Sequence, residues 1–484
     1  MSERVFTPAF ELAAEIRDGS LSSVELLESF LARIDRSNSE INAVVTMDVD
    51  GAEERCGAAD QAAARGEIWG PLHGLPMTVK DAFEVAGMTT TSGAPELADH
   101  RSEHNAVAVQ RLVDAGAVVF GKTNLPLFAA DLQTYNDVFG TTNNPWDVTR
   151  CVGGSSGGPA AAVAAGFTPL ELGSDLGGSI RNPASHCGVY GHRPTWGLVP
   201  LRGHIPGPPG TAAPVDLAVA GPIAHNAADL ERALELLAGP DSRDATAWSV
   251  RLPEARHRSL ADFRIGVLTD HPSCPVDPTI AGIVADTADA LAAAGAHVTA
   301  DLPDVDLAAD HARYLHLLYS VTGAGLPARI KHGLDAAVDG LAADDHSLAA
   351  QLARGTSGRH RHWLAANERR HRNRQRWDDY FRHVDVLLCP ATPTAAFPHD
   401  HSTPSLERTL DVAGTPVDYW AQLAWAGLAT AAYLPATVAP GGTTGGLPVG
   451  IQIIGPHLED RTPIRLAALM ADVIGGFAPP PGFD

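Results

Sequence analysis

The chain has 484 residues, 45% of them hydrophobic and 19% charged, a globular balance that excludes a disordered or fibrous protein. Its formal charge of −22, from 35 basic and 57 acidic residues, repels phosphate backbones and anionic headgroups and so argues against nucleic acid or a membrane surface as partner. The opening MSERVFTPAF lacks the basic and apolar regions of a signal peptide, and no apolar run is long enough to span a bilayer, so a cytoplasmic location is expected.

Residues 8–37 read as two helices: PAFELAAEIRDG stops at a glycine, and Ser22 with Glu25 has capping-box spacing at the start of VELLESFLARI. The runs PLHGLPMTVKDAF (71–83) and AGAVVFGKTN (115–124) read as buried strands, separated by the helix-like NAVAVQRLVDAG. Between 150 and 200 the chain is rich in Gly, Ser and Pro with little charge, which predicts buried loop around one helix, GPAAAVAAG. Strand followed by helix recurs at 214–239 and again at 264–298. The arginine-rich stretch 354–377, with His360, His362 and His371, predicts a helix with a solvated face; no second basic element or ligand cluster supports RNA or metal binding there. DVLLCPATP (385–393) and LPVGIQIIG (447–455) return to the core. The alternation gives an α/β fold, and no linker marks a boundary within 1–484.

Five scattered cysteines, Cys56, Cys151, Cys187, Cys274 and Cys389, without a CxxC pair, argue for reduced thiols rather than disulfides or a zinc cage. Cys187 follows His186, but catalytic partners meet in space rather than in sequence. Three glycine-rich motifs carry more weight. GAVVFGKT (116–123) fits the phosphate-loop pattern, yet its apolar strand lies between the glycines and Pro126 interrupts any following helix. GGSSG (153–157) fits a nucleophile elbow, which would make Ser155 the nucleophile of an α/β-hydrolase. In GSDLGGSIRNPA (173–184), paired glycines before Ser179 have the composition of an oxyanion hole.

Taken together, GGSSGG, GSDLGGSIRNPA and the upstream Lys80 of GLPMTVKD resemble the amidase signature family. So do GKTN (121–124), FGTTNNPW (139–146), CGVYGHRPTWGLVP (187–200), DVLLCPATP and GLPVGIQIIG, in the same order along most of the chain. Lys80 precedes Ser155 by 75 residues, and Ser179 follows it by 24, both agreeing with the family pattern. The resemblance implies one domain over 1–484 with its signature core at about 70–200: a large mixed β-sheet flanked by helices on both faces. It also implies a Ser179 nucleophile, a Ser155/Lys80 proton relay on a cis Gly154–Ser155 peptide, and an oxyanion hole from the backbone of Leu176, Gly177, Gly178 and Ser179. Ala129 and Gly154 would meet the substrate, with Ser156, Asp175 and Arg181 behind them. Neither cofactor nor metal is implied; the partner is a small-molecule amide, carbamate or ester, and homodimerisation is a family expectation.

Lys80 can serve as a base only if burial lowers its pKa from about 10.4 toward about 7–8, and its apolar neighbours GLPMTV are consistent with that. Departures from the family bear on substrate. Leu198 stands where relatives usually carry Arg, and GHIPGPPGTAA (203–213) is an unusual loop. The chain also lacks the tyrosine-aspartate-glycine signature of glutaminyl-tRNA amidotransferase A subunits and reads TAAYLPATVAP near its end, which points away from that branch. Trp196, Trp420, Trp425 and Tyr433 fall near expected pocket segments and are candidates to receive an aryl group or simply to fill the core.

Overall fold

A computed structural model describes residues 4–342, 345 and 347–483. The chain begins with the two expected helices, Ala9–Asp18 and Ser23–Ile41. Gly19 ends the first in the left-handed region at φ 77°, and the Ser22 hydroxyl accepts from the Glu25 N–H at the start of the second.

Eight strands form a mixed sheet in the order His297–Thr299, Arg264–Val267, Val386–Pro390, Leu447–Ile454, Ala436–Thr444, Tyr190–Arg193, Val219–Ala224, Leu170–Asp175. The first three run parallel to one another and every later pairing is antiparallel. Period-two alternation covers both faces. Val386, Leu388, Ile451 and Ile453 pack into one cluster with Val284, Leu291, Leu466 and Met470 of the helices Pro278–Ala293 and Arg461–Ile474. Leu387, Cys389 and Ile454 point the other way, onto Trp377 and Trp425 of the helices His360–Tyr380 and Leu423–Ala431. Helices therefore flank both faces, as the resemblance implies.

A second sheet of three strands, Val44–Met47, Val118–Thr123 and Pro76–Lys80, carries Lys80 at its end. Side chains join it to the large sheet: Glu171 Oε1 accepts from Thr78 Oγ1 at 2.6 Å and Thr123 Oγ1 at 2.9 Å, and Oε2 accepts from Leu172 N. The helix Gly157–Ala164 lies between, wholly buried, as a run of small residues permits. A Cβ at Gly158 would stand 2.4 Å from the Asn124 backbone, so only glycine allows that approach.

GAVVFGKT is a strand whose Lys122 ammonium is buried against Asp81 at 3.0 Å and Thr90 at 2.9 Å, not a loop open to phosphate. The basic stretch spans the end of the helix Leu348–Ser357 and the helix His360–Tyr380, whose His360, Arg361, His362, Arg369, His371 and Arg372 form the expected solvated face. Arg370 is buried, donates to both oxygens of Asp216, and with Arg374 lies over the Tyr433 ring. Among the described residues no helix is long and apolar enough to cross a membrane, and no group of three His, Cys, Asp or Glu is placed to hold a metal. Glu171→Ala would strand three buried donors and is expected to cost about 3 kcal/mol, read as a lower urea midpoint at unchanged m.

Candidate active site

The strand Pro76–Lys80 delivers the Lys80 side chain into the space between the two sheets, where it is fully buried. Its Nζ donates to Ser155 Oγ at 2.7 Å, Ser156 Oγ at 2.9 Å and Ser174 Oγ at 3.1 Å. Three hydroxyls match the three donors of an ammonium; a neutral amine has two donors and a lone pair, so one hydroxyl must then turn and donate to it. Burial brings the Lys80 pKa down to about 7 against the opposing pull of Asp175 and Glu171. Ser174, which no motif singled out, belongs to the strand Leu170–Asp175 and was visible only as part of GSDLGGS.

Ser155 sits on a cis peptide with Gly154. Gly154 N donates to Asn182 Oδ1, and a Cβ on Gly154 would lie 2.7 Å from Asp131 O and Gln133 N, so the peptide is clasped from two sides. Ser155 bonds Lys80, with no histidine bonded to it among the described residues, which removes the α/β-hydrolase geometry that GGSSG suggested. Cys187 is buried beside Val152 O, and burial holds its thiol well above its usual pKa; His186 lies 3.8 Å from Cys151 instead.

The Ser179 loop is tied to the same centre, since Ser156 N donates to Ser179 O at 2.9 Å. Ser179 is 7% exposed against 1% for Ser155, so Ser179 is the more open of the two serines. Asp175 shapes the loop: its carboxylate accepts from Gly178 N at 3.0 Å, Ile180 N at 3.1 Å and the Arg181 guanidinium at 2.9 and 3.0 Å. Burial would raise its pKa, but Arg181 and then Arg193 overcome that and hold it well below the carboxylate range. Arg181 continues to Gln452 Oε1, Thr430 Oγ1 and Ala426 O, anchoring the loop to the centre of the sheet and the helix Leu423–Ala431. The Asp175–Arg181 ion pair is fully buried and lies behind the glycine loop.

Gly178 departs from the oxyanion expectation. Its N–H is occupied by Asp175, so it holds the loop rather than facing outward. The N–H groups of Gly177 and Ser179 make no hydrogen bond among the described residues, and Leu176 offers its carbonyl to Tyr314 Oη at 3.2 Å. A Cβ on Gly177 would stand 2.9 Å from Leu423 Cδ2 and 3.5 Å from Tyr314 Oη, which places a leucine methyl and a tyrosine hydroxyl beside the loop.

Ala129 follows Phe128 in the left-handed region, at φ 55° and 49°, an arrangement that concentrates at binding sites. Two residues later Asp131 accepts from Tyr419 Oη, Tyr135 Oη and Arg408, fastening this segment to residues 402–419. Nothing in the sequence pattern marked that network. Of the aromatic candidates, Trp425 is core, Trp196 stacks on Tyr433 at 4.5 Å, and Trp420 is half-buried with its N–H on Ser405 O. Asp175→Ala would leave Arg181 and Arg193 buried without their carboxylate and is expected to destabilise the fold by about 3–5 kcal/mol in urea unfolding.

The chain is similar to known proteins over nearly its whole length. The A subunit of the glutamyl-tRNA(Gln) amidotransferase of Chloroflexus aurantiacus is 33% identical over 480 residues, covering 94% of this chain and 93% of its own length. A solved structure from an unexpected vestigial protein complex, described as revealing the evolutionary origins of an s-triazine catabolic enzyme, superposes with TM-score 0.81 at 30% identity, covering 98% of this chain and 100% of its own. A bacterial aryl acylamidase of the amidase signature family superposes with TM-score 0.81 at 26% identity over 97% of this chain and 96% of its own. Residues 25–463 match the Amidase family, and the chain belongs to it, the amidase signature enzymes that act on C–N bonds.

Proposed function

We propose that this protein is an amidase that hydrolyses an uncharged, apolar or aryl amide through an acyl-enzyme on Ser179. The observation that carries the reading is the fully buried Lys80 Nζ, 2.7 Å from Ser155 Oγ with its pKa brought to about 7, beside the more open Ser179. In its neutral form Lys80 accepts the Ser155 proton, Ser155 accepts that of Ser179, and Ser179 Oγ attacks the carbonyl carbon. The oxyanion forms against the N–H groups of Gly177 and Ser179, a stabilisation typically worth about 3–4 kcal/mol per donor. The relay then runs backward to protonate the leaving nitrogen, and water, activated by the same relay, cleaves the ester.

The substrate class follows from charge. Arg181, Arg193 and Arg408, the buried guanidinium groups around the site, are each occupied by protein carboxylate or carbonyl oxygens, so none is left to hold a substrate carboxylate. The wall by Gly177 is Leu423 and Tyr314, within an apolar cluster that also holds Leu132, Leu176 and Trp420. A neutral group is favoured there. A second reading, a role as the A subunit of an amidotransferase, is favoured by the 33% identity to the Chloroflexus protein, and would require glutamine to be bound through its charged ends.

The test is kinetic, on the purified chain alone, with an aryl amide, an aryl carbamate, an aryl ester, a primary amide and glutamine. The expected result is turnover of the aryl amide, with glutamine at least about 100-fold slower in kcat/KM; glutamine as the preferred substrate would overturn the reading. Below about pH 7, kcat/KM for the amide should rise about tenfold per unit as Lys80 loses its proton, then level off. Lys80→Met should abolish turnover at every pH, because it removes the base itself.

A further inference from the structure

A cleft of about 460 Å³, lined by none of Lys80, Ser155 and Ser179, lies between the helices Leu307–Thr322 and Leu348–Ser357 and the turn Tyr419–Gln422. That volume lies within the usual range for small-molecule sites. Its depth is mixed in character. Gln351, 5% exposed, lines the cleft, and its side-chain amide makes no hydrogen bond among the described residues. The amide oxygen and nitrogen are both unused, so the group can offer an acceptor and a donor to a ligand. Nδ1 of His311 is buried with no hydrogen-bond partner among the described residues, and burial, then His271, holds that ring neutral with a pKa of about 3. Trp420 has already satisfied its indole N–H on Ser405 O, so what it offers is its ring. Leu315 supplies an apolar wall, while the charges among the described lining residues, Asp306 and Asp418, are exposed and repel anions from the mouth.

We propose that this cleft binds an uncharged, planar aryl group bearing an amide or similar hydrogen-bonding function. Gln351 supplies both donor and acceptor to that function, His311 adds one more polar atom, and Trp420 covers the ring. The site touches the catalytic loop through two short paths. The His311 ring lies 6.3 Å from that of Tyr314, whose hydroxyl donates to Leu176 O. Trp420 is three residues before Leu423, which abuts Gly177. The same chemistry has two sources: the distal end of an extended amide substrate, or a separate small molecule. The first rests on the amidase reading given above; the second does not.

Two arms separate them. In the kinetic arm, wild type, Gln351→Leu and Trp420→Leu are compared on propionamide and on an extended bis-aryl amide. If the distal end of the substrate fills the cleft, each variant raises KM for the extended amide about tenfold more than for propionamide, the loss expected for one hydrogen bond to a neutral group. In the binding arm, benzamide is titrated calorimetrically into protein whose catalytic serine is capped by a phosphonate, or, should capping fail, into Ser179→Ala. If a separate molecule fills the cleft, benzamide binds the blocked wild type and at least about tenfold more weakly the blocked Gln351→Leu. The proposal is overturned if neither variant, folded by circular dichroism, changes the KM ratio or benzamide affinity by as much as about twofold. Failure of wild type to turn over either amide would count against the amidase reading, and the binding arm would still decide the site.

Discussion

The fold exists around one costly act, the complete burial of the Lys80 amine. An isolated ammonium could not be placed between two sheets without several kcal/mol of desolvation, and the structure offsets this with three hydroxyls at 2.7, 2.9 and 3.1 Å. Hydroxyls, unlike carboxylates, stabilise either protonation state. They leave the pKa near 7 instead of restoring it to the ordinary lysine value. The contrast with Lys122 is instructive. It is equally buried at the end of the neighbouring strand, but it meets Asp81 directly in an ion pair, the arrangement of a structural cation.

Every other element near the site holds those hydroxyls and their neighbours still. Glu171 pins the small sheet carrying Lys80 to the large sheet carrying Ser174. Asn182 and the segment Asp131–Gln133 clasp the peptide of Ser155. Asp175, compensated by Arg181 and Arg193, gathers the turn from Gly178 to Arg181 and ties it to Gln452 in the sheet and Thr430 in a helix. These buried charges are balanced within the protein, Arg181 and Arg193 by Asp175 and Arg408 by Asp131.

What the sequence made legible was attached to short local motifs: Lys80, Ser155 and Ser156 lie within hydrogen-bonding distance, with Ser179 on the adjoining loop, and the strand-helix alternation reads through to the sheet. What it hid was long-range or depended on the direction of a single bond. Gly178 was expected to face outward, and only the position of the Asp175 carboxylate shows that its N–H turns inward. The Asp131–Arg408 pair joins residues 277 apart, and the Arg370–Asp216 pair 154 apart; no periodicity encodes such partners. The basic stretch shows both sides of this: its helix and solvated face were legible, while the burial of Arg370 depends on a distant aspartate that covers it.

The claim at the centre is that Ser179 is the nucleophile and Ser155 the relay. The most direct measurement is the mass of the tryptic peptide modified by a serine-reactive fluorophosphonate on the intact protein. The account predicts one adduct on the peptide containing Ser179 and none in Ser179→Ala, with labelling slowed in Ser155→Ala and Lys80→Met. An adduct on Ser155 that persists in Ser179→Ala would contradict it.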